Sequence, residues 1–221
     1  MKRLLKILAF MTAIALVFGA CSNTSFTSST NEKVVENVQN TEPENSGENS
    51  GASVTDGGNL VKFTMENGGS FVIELYPQYA PETVENFRNL VATGFYNGLT
   101  FHRVVEGFMA QGGDPEGTGY GGSEKTIKGE FKLNNFPANT LSHTRGVVSM
   151  ARSQDYDSAS SQFFICYDDV SFLDGGYAAF GKVIEGMEVV DSFLEIERRY
   201  VGDELSDPVE PIVIESAVIV E

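Results

Sequence analysis

The chain has 221 residues, a hydrophobic fraction of 41% and a formal net charge of −16. That charge argues against nucleic acid as a partner, because its phosphates would be repelled. The apolar fraction suffices for one real core, and two histidines with two distant cysteines, Cys21 and Cys166, make no zinc-type ligand set.

Residues 1–20 read as a targeting segment. Lys2, Arg3 and Lys6 form a basic start, Leu4 through Phe18 a short apolar stretch, and Gly19-Ala20 precede Cys21. The stretch is short for a membrane span. It resembles a bacterial lipoprotein signal, in which cleavage falls before the cysteine and Cys21 is acylated. Phe18, three positions before the cysteine, departs from the usual leucine. The implied location is extracytoplasmic, with the protein tethered to the cell membrane by lipid. Residues 21–57 are then the acylated cysteine and an acidic Ser/Asn/Thr/Glu/Gly stalk, too poor in apolar residues to offset its ordering entropy. As a flexible linker it would reach on the order of 30–40 Å.

The folded domain is expected over residues 58–221. Val61 to Met65 alternates apolar and polar, Asn67-Gly68-Gly69 turns the chain, and Ser70 to Leu75 returns as the second strand of a hairpin. Pro81-Glu82 opens a helix whose apolar positions Val84, Phe87, Leu90 and Val91 end before Gly94. Short apolar runs follow around Phe101–Val105, Phe108–Gln111, Gly146–Met150, Phe163–Tyr167 and Ala178–Val183. A second helix is predicted from Met187 to about Leu194, and Pro211–Ile214 and Ala217–Val220 read as two closing strands. Many short strands with two helices favour an all-β barrel whose last strand pairs with the first. Cys166, within Phe163-Phe164-Ile165-Cys166, reads as buried strand packing rather than a reactive thiol.

The most informative stretch is Phe101-His102-Arg103-Val104-Val105-Glu106-Gly107-Phe108-Met109-Ala110-Gln111-Gly112-Gly113-Asp114. Arginine keeps its proton at working pH, so Arg103 is a poor acid or base but a good rigid fork of donors. Beside apolar side chains and paired glycines, such a fork points to a groove that polarises an amide without breaking a bond. The stretch resembles the signature of the cyclophilins, the peptidyl-prolyl cis-trans isomerases, and the resemblance extends over residues 59 to 221. It implies a closed eight-stranded antiparallel barrel capped by a helix at each end, isomerase activity, and no cofactor or metal.

Residue by residue, the resemblance implies that Arg103 contacts the amide of the substrate proline and that Gln111 bonds substrate backbone and helps position the arginine. Phe108 and Met109 would line the proline pocket. In Met150-Ala151-Arg152-Ser153 and Ser161-Gln162-Phe163-Phe164-Ile165, Ala151 and Arg152 match the edge where substrate backbone pairs. Gln162 matches the groove glutamine and Phe164 a pocket phenylalanine. Arg152 replaces the asparagine common in eukaryotic members, with little effect if the contact there is main-chain. Leu173 would close the pocket, and Tyr177 stands where many members carry histidine. Phe172 stands where strongly cyclosporin-binding members carry tryptophan, so weak cyclosporin binding is expected. His102 is expected to be a structural hydrogen-bonding residue.

Gly117-Thr118-Gly119-Tyr120-Gly121-Gly122 fits the dinucleotide GxGxxG pattern but follows Asp114-Pro115 and leads into Ser123-Glu124-Lys125. The required strand, helix and later acidic residue are missing, so it reads as a glycine loop beside the groove. The expected protein is a monomer acting on proline-containing segments of exported proteins. A peptide-binding chaperone or adhesion module that keeps the groove without turnover is the alternative.

Overall fold

The structure, a computed structural model, describes residues 58–220. The targeting segment, Cys21 and the stalk lie outside the described residues. Ten strands and two helices follow one another: β1 (Leu60–Met65), β2 (Ser70–Leu75), α1 (Pro81–Ala92), β3 (Thr100–Val105), β4 (Met109–Asp114), β5 (Val147–Met150), β6 (Phe163–Cys166), β7 (Ala179–Glu185), α2 (Met187–Ser192), β8 (Arg198–Val201), β9 (Glu204–Pro208) and β10 (Ile214–Val220). Eight strands make one antiparallel sheet in the order β10-β1-β2-β7-β5-β6-β4-β3, and β8 with β9 forms a separate ribbon.

Period-two alternation sets the register. Val61, Phe63 and Met65 of β1 and Phe71, Ile73 and Leu75 of β2 all face the interior at 0–1% exposure, and Phe63 pairs with and stacks on Phe71. Helix α1 drops Phe87 among Phe63, Phe163 and Phe180, while Phe193, in the 3₁₀ turn that continues α2, packs on Phe101. Central strands are buried on both faces. In β6, Phe163 and Ile165 enter this main core, whereas Phe164 and Cys166 join a second cluster with Met109, Val147 and Ala179. That smaller cluster lies on the opposite face of the sheet, and the candidate site is built on it. Burial pushes the Cys166 thiol up to about 12, which fits inert packing.

Two sequence expectations are corrected. The sheet is a strongly curled half-barrel rather than a closed barrel. Strand β10 pairs with β1 as expected, but its meeting with β3 is confined to the Thr100–Val213 bridge and a few nearby backbone bonds, such as Phe101 N–H to the Ile212 carbonyl at 3.0 Å. Beyond that point β3 bulges twice, and the β8–β9 ribbon packs against it: Arg198 donates to the Val104 carbonyl at 3.3 Å. The two predicted closing strands are one, β10, because Pro211 lacks an amide hydrogen and pairing becomes continuous only from Ile214. The β8–β9 hairpin, turned at Gly202-Asp203, was not anticipated at all.

Helix α1 starts at Pro81 with Glu82 in its first turn, as its sequence signature predicts. Ala80 offers no capping side chain. Glu130, 3% exposed, supplies one from a distant loop, accepting from the amides of Glu82 and Thr83 at 3.0 and 2.8 Å and from the Thr83 hydroxyl at 2.7 Å.

Candidate active site

Strand register gathers the site. Across β3, β4, β6 and β5 the directly paired residues are Arg103, Gln111, Phe164 and Ser149, and one step along, Met109 pairs with Cys166. Side chains of directly paired residues share a face. The β3–β4 turn, with Gly107 at φ 70°, brings Phe108 under the Arg103 guanidinium, 5.7 Å from the ring centre. A cavity of about 210 Å³ results, lined by Arg103, Phe108, Met109, Gln111, Ala151, Arg152, Phe164, Leu173 and Tyr177.

Nine of the eleven sequence-predicted site residues therefore meet at one pocket. Gln162 lies just beyond it, in an adjoining cavity of about 410 Å³ that shares Gln111, Ala151 and Arg152. Phe172 does not line the pocket; it stands 75% exposed and stacks on Phe108 with 5.9 Å between ring centres.

A chain of side-chain hydrogen bonds runs through the site. Arg103 Nη1 donates to Gln111 Oε1 at 3.2 Å, Gln111 Nε2 to Gln162 Oε1 at 2.8 Å, and Gln162 Nε2 to the Gly121 carbonyl at 2.7 Å. Both glutamine amides are thereby oriented before any ligand arrives. Gly121 belongs to the glycine loop, which folds around Asp114. That carboxylate accepts from the amides of Glu116, Thr118, Gly119 and Gly121, and a Cβ at Gly121 would fall on it. Burial acts against the Asp114 charge, but these amides outweigh it and hold the carboxyl below its ordinary range. The GxGxxG run is thus a loop beside the groove.

Sequence reasoning missed two supports. Glu204 on β9 binds Arg103 with both oxygens, Nε to Oε1 at 2.7 Å and Nη2 to Oε2 at 2.8 Å. The hydrogen bond from Arg103 holds the Glu204 carboxyl below the usual glutamate range. The Gly202-Asp203 turn was a legible hairpin signal, but nothing in one dimension pairs position 204 with position 103. The second support lies behind Phe164. His143, fully buried, is bonded through Nδ1 to Asp174 at 2.8 Å and through Nε2 to Ser149 at 3.0 Å, and its ring stacks on Phe164. Asp174 also accepts from the Ser142 hydroxyl at 2.6 Å, which pins the turn carrying Leu173. Burial keeps the His143 pKa below its ordinary value, so the ring is a neutral strut.

The His102 ring nitrogens are buried with the Thr100 backbone as their hydrogen-bonding neighbour, short of full hydrogen-bond geometry, and burial lowers the pKa of the ring.

The geometry defines a shallow groove: an apolar pocket, a fixed cation at its rim, and amide side chains aligned along one edge. The family model described as Cyclophilin type peptidyl-prolyl cis-trans isomerase/CLD matches residues 60–219. The chain is 43% identical over 160 residues to "Peptidyl-prolyl cis-trans isomerase A" of Dickeya dadantii, covering 70% of this chain and 82% of that protein. It is 47% identical over 126 residues to "Peptidyl-prolyl cis-trans isomerase B" of Bacillus subtilis, covering 57% and 84%. Among solved structures, a cyclophilin-type isomerase of Cryptosporidium parvum, crystallised in the presence of the dipeptide Ala-Pro, is similar with a TM-score of 0.65 and 32% identity, over 73% of this chain and 99% of that one. The chain belongs to the cyclophilin-type peptidyl-prolyl cis-trans isomerase family.

Proposed function

We propose that this protein catalyses cis-trans isomerisation of X-Pro bonds in exported polypeptides, from a lipid anchor at Cys21 on the outer side of the cell membrane. Uncatalysed, such steps take about tens to hundreds of seconds and can limit folding. Rotation destroys amide resonance over a barrier of roughly 18–20 kcal/mol and leaves the proline nitrogen with a free lone pair. A guanidinium donor aimed at that nitrogen binds the twisted amide better than either planar form, which is the differential binding that accelerates a reaction. Phe108, Met109, Phe164 and Leu173 hold the proline ring, Tyr177 flanks it, and Gln111, Gln162 and Ala151 receive the adjoining backbone.

The observation that carries this reading is the placement of Arg103 at the rim of an apolar pocket, over Phe108 and bonded to Gln111. An NMR-exchange or protease-coupled isomerase assay tests it. Wild type should turn over an X-Pro peptide, and Arg103→Ala should lose about 10²–10³ in kcat/KM while peptide binding persists. A folded wild type that binds peptide without turnover would instead mark a binding module. The anchor is tested separately: the Cys21→Ser variant, expressed in a bacterium, should leave the membrane fraction, and retention there would overturn acylation at Cys21.

A further inference from the structure

Arg103 is held at three points. Glu204 takes Nε and Nη2 at 2.7 and 2.8 Å, and Gln111 takes Nη1 at 3.2 Å. The bidentate pair consumes one whole edge of the guanidinium, so the hydrogens left for a substrate are one on Nη1 and one on Nη2. Glu204 sits on a ribbon outside the main sheet. Within the ribbon the Arg199–Asp207 ion pair at 2.9 Å joins β8 to β9, and Arg198 ties the ribbon to the rest of the fold through the carbonyls of Val104 and Leu194 at 3.3 and 3.4 Å. The carboxylate is thus in place whether or not the groove is filled.

We propose that Glu204 is a positioning residue for isomerisation: it selects which edge of Arg103 faces the proline pocket and thereby sets the turnover rate rather than the affinity. The inference rests on Arg103 being the group that stabilises the twisted amide. Two effects of the carboxylate oppose each other. It partly cancels the cation, which weakens the pull on the developing lone pair, and it freezes a long side chain that otherwise samples many rotamers. Positioning prevails, because the donor must meet one nitrogen atom at hydrogen-bond distance and a misplacement of about 1 Å can cost on the order of 10²-fold. The partners are 37% and 36% exposed, so the charge cancelled is already screened by solvent. A pair so exposed adds little to stability, and its removal should be read in the reaction.

The experiment compares kcat and KM for the full-length chain with Glu204→Ala, Glu204→Gln, Arg103→Ala and the Arg103→Ala/Glu204→Ala double variant. The Arg103 Nε–Hε resonance is followed by NMR in the variants that keep the arginine. Glu204→Ala should lower kcat about tenfold with KM within about twofold, and its Nε–Hε signal should show faster side-chain motion. Glu204→Gln keeps the shape and one acceptor oxygen, and should fall between Glu204→Ala and wild type. The double variant should be no slower than Arg103→Ala alone, since Glu204 acts only through the arginine. Loss of activity in Arg103→Ala with kcat unchanged or raised in Glu204→Ala overturns the positioning role and leaves the reading of Arg103 standing. Full activity in Arg103→Ala overturns that reading itself, and the role of Glu204 with it.

Discussion

The guanidinium of Arg152 lies 4.6 Å from the centre of the Tyr177 ring, while its Nε and Nη2 donate to the Gly176 carbonyl at 3.0 and 2.8 Å. Phe131 and Tyr156 flank the same group at 5.1 and 4.9 Å. The Arg152 side chain, expected to stand in for the asparagine common in eukaryotic members, therefore ties the Tyr177 wall of the pocket to the segment after β5. Main-chain pairing alone does not account for this residue.

Truncating that tie should loosen Tyr177 without touching Arg103. Arg152→Ala is expected to raise KM about three- to tenfold with kcat nearly unchanged, the scale of one or two partly exposed cation–π contacts. Steady-state kinetics with a saturable X-Pro peptide check it; an unchanged KM would mean that Tyr177 is held by its edge contact with Phe164 alone.

Phe172 stacks on Phe108 yet is 75% exposed and has no ring donor. Cyclosporin should bind weakly, and Phe172→Trp should tighten it at least about tenfold by adding area and an indole N–H. Calorimetric titration of both forms measures this. Low-nanomolar binding by the wild type would refute the role given to this position.

Stability should fall with acidity in two stages. His143 is neutral in the fold, with its pKa held below the ordinary 6.5, so the unfolded chain takes up its proton first. Stability is lost as pH falls from about 6.5 toward the folded value and then levels off. For Asp174, burial opposes the charge, but bonds from Ser142 and His143 outweigh it and hold the carboxyl below its ordinary 3.8. The contribution of Asp174 and of Asp114 is present above that ordinary value and disappears as pH falls through the lower folded one. Urea midpoints measured from pH 8 to 3 should show both stages; His143→Gln should shrink the first to the part contributed by His102, whose pKa burial also lowers.

The Glu130 cap should matter for stability and not for turnover. Glu130→Ala leaves the amides of Glu82 and Thr83 and the Thr83 hydroxyl without their acceptor, at a cost of ~2 kcal/mol. Urea unfolding should show the loss, while kcat/KM of the folded variant stays within about twofold.

Much of this protein was legible in one dimension. Alternation in Val61–Met65 and Ser70–Leu75 and the Pro81 and Gly94 boundaries of α1 depend on periods of two and 3.6 residues and on turn chemistry, all of which are local; the roles of Arg103, Phe108, Met109 and Gln111 come from the resemblance of their stretch to the cyclophilin signature. Strand register in the structure explains why the residues that the resemblance implied meet at the pocket: once β3, β4 and β6 pair, Arg103, Gln111 and Phe164 fall in one row. What the chain did not disclose depends on contacts between distant segments. The Arg103–Glu204 pair, the His143–Ser149–Asp174 strut behind Phe164 and the Glu130 cap join side chains with no periodic relation to their partners. Closure of the sheet was misjudged for the same reason. Strand count implies a barrel, but whether the last edges zip together depends on the bulges in β3 and on the ribbon packed beside it, and only the tertiary structure decides that.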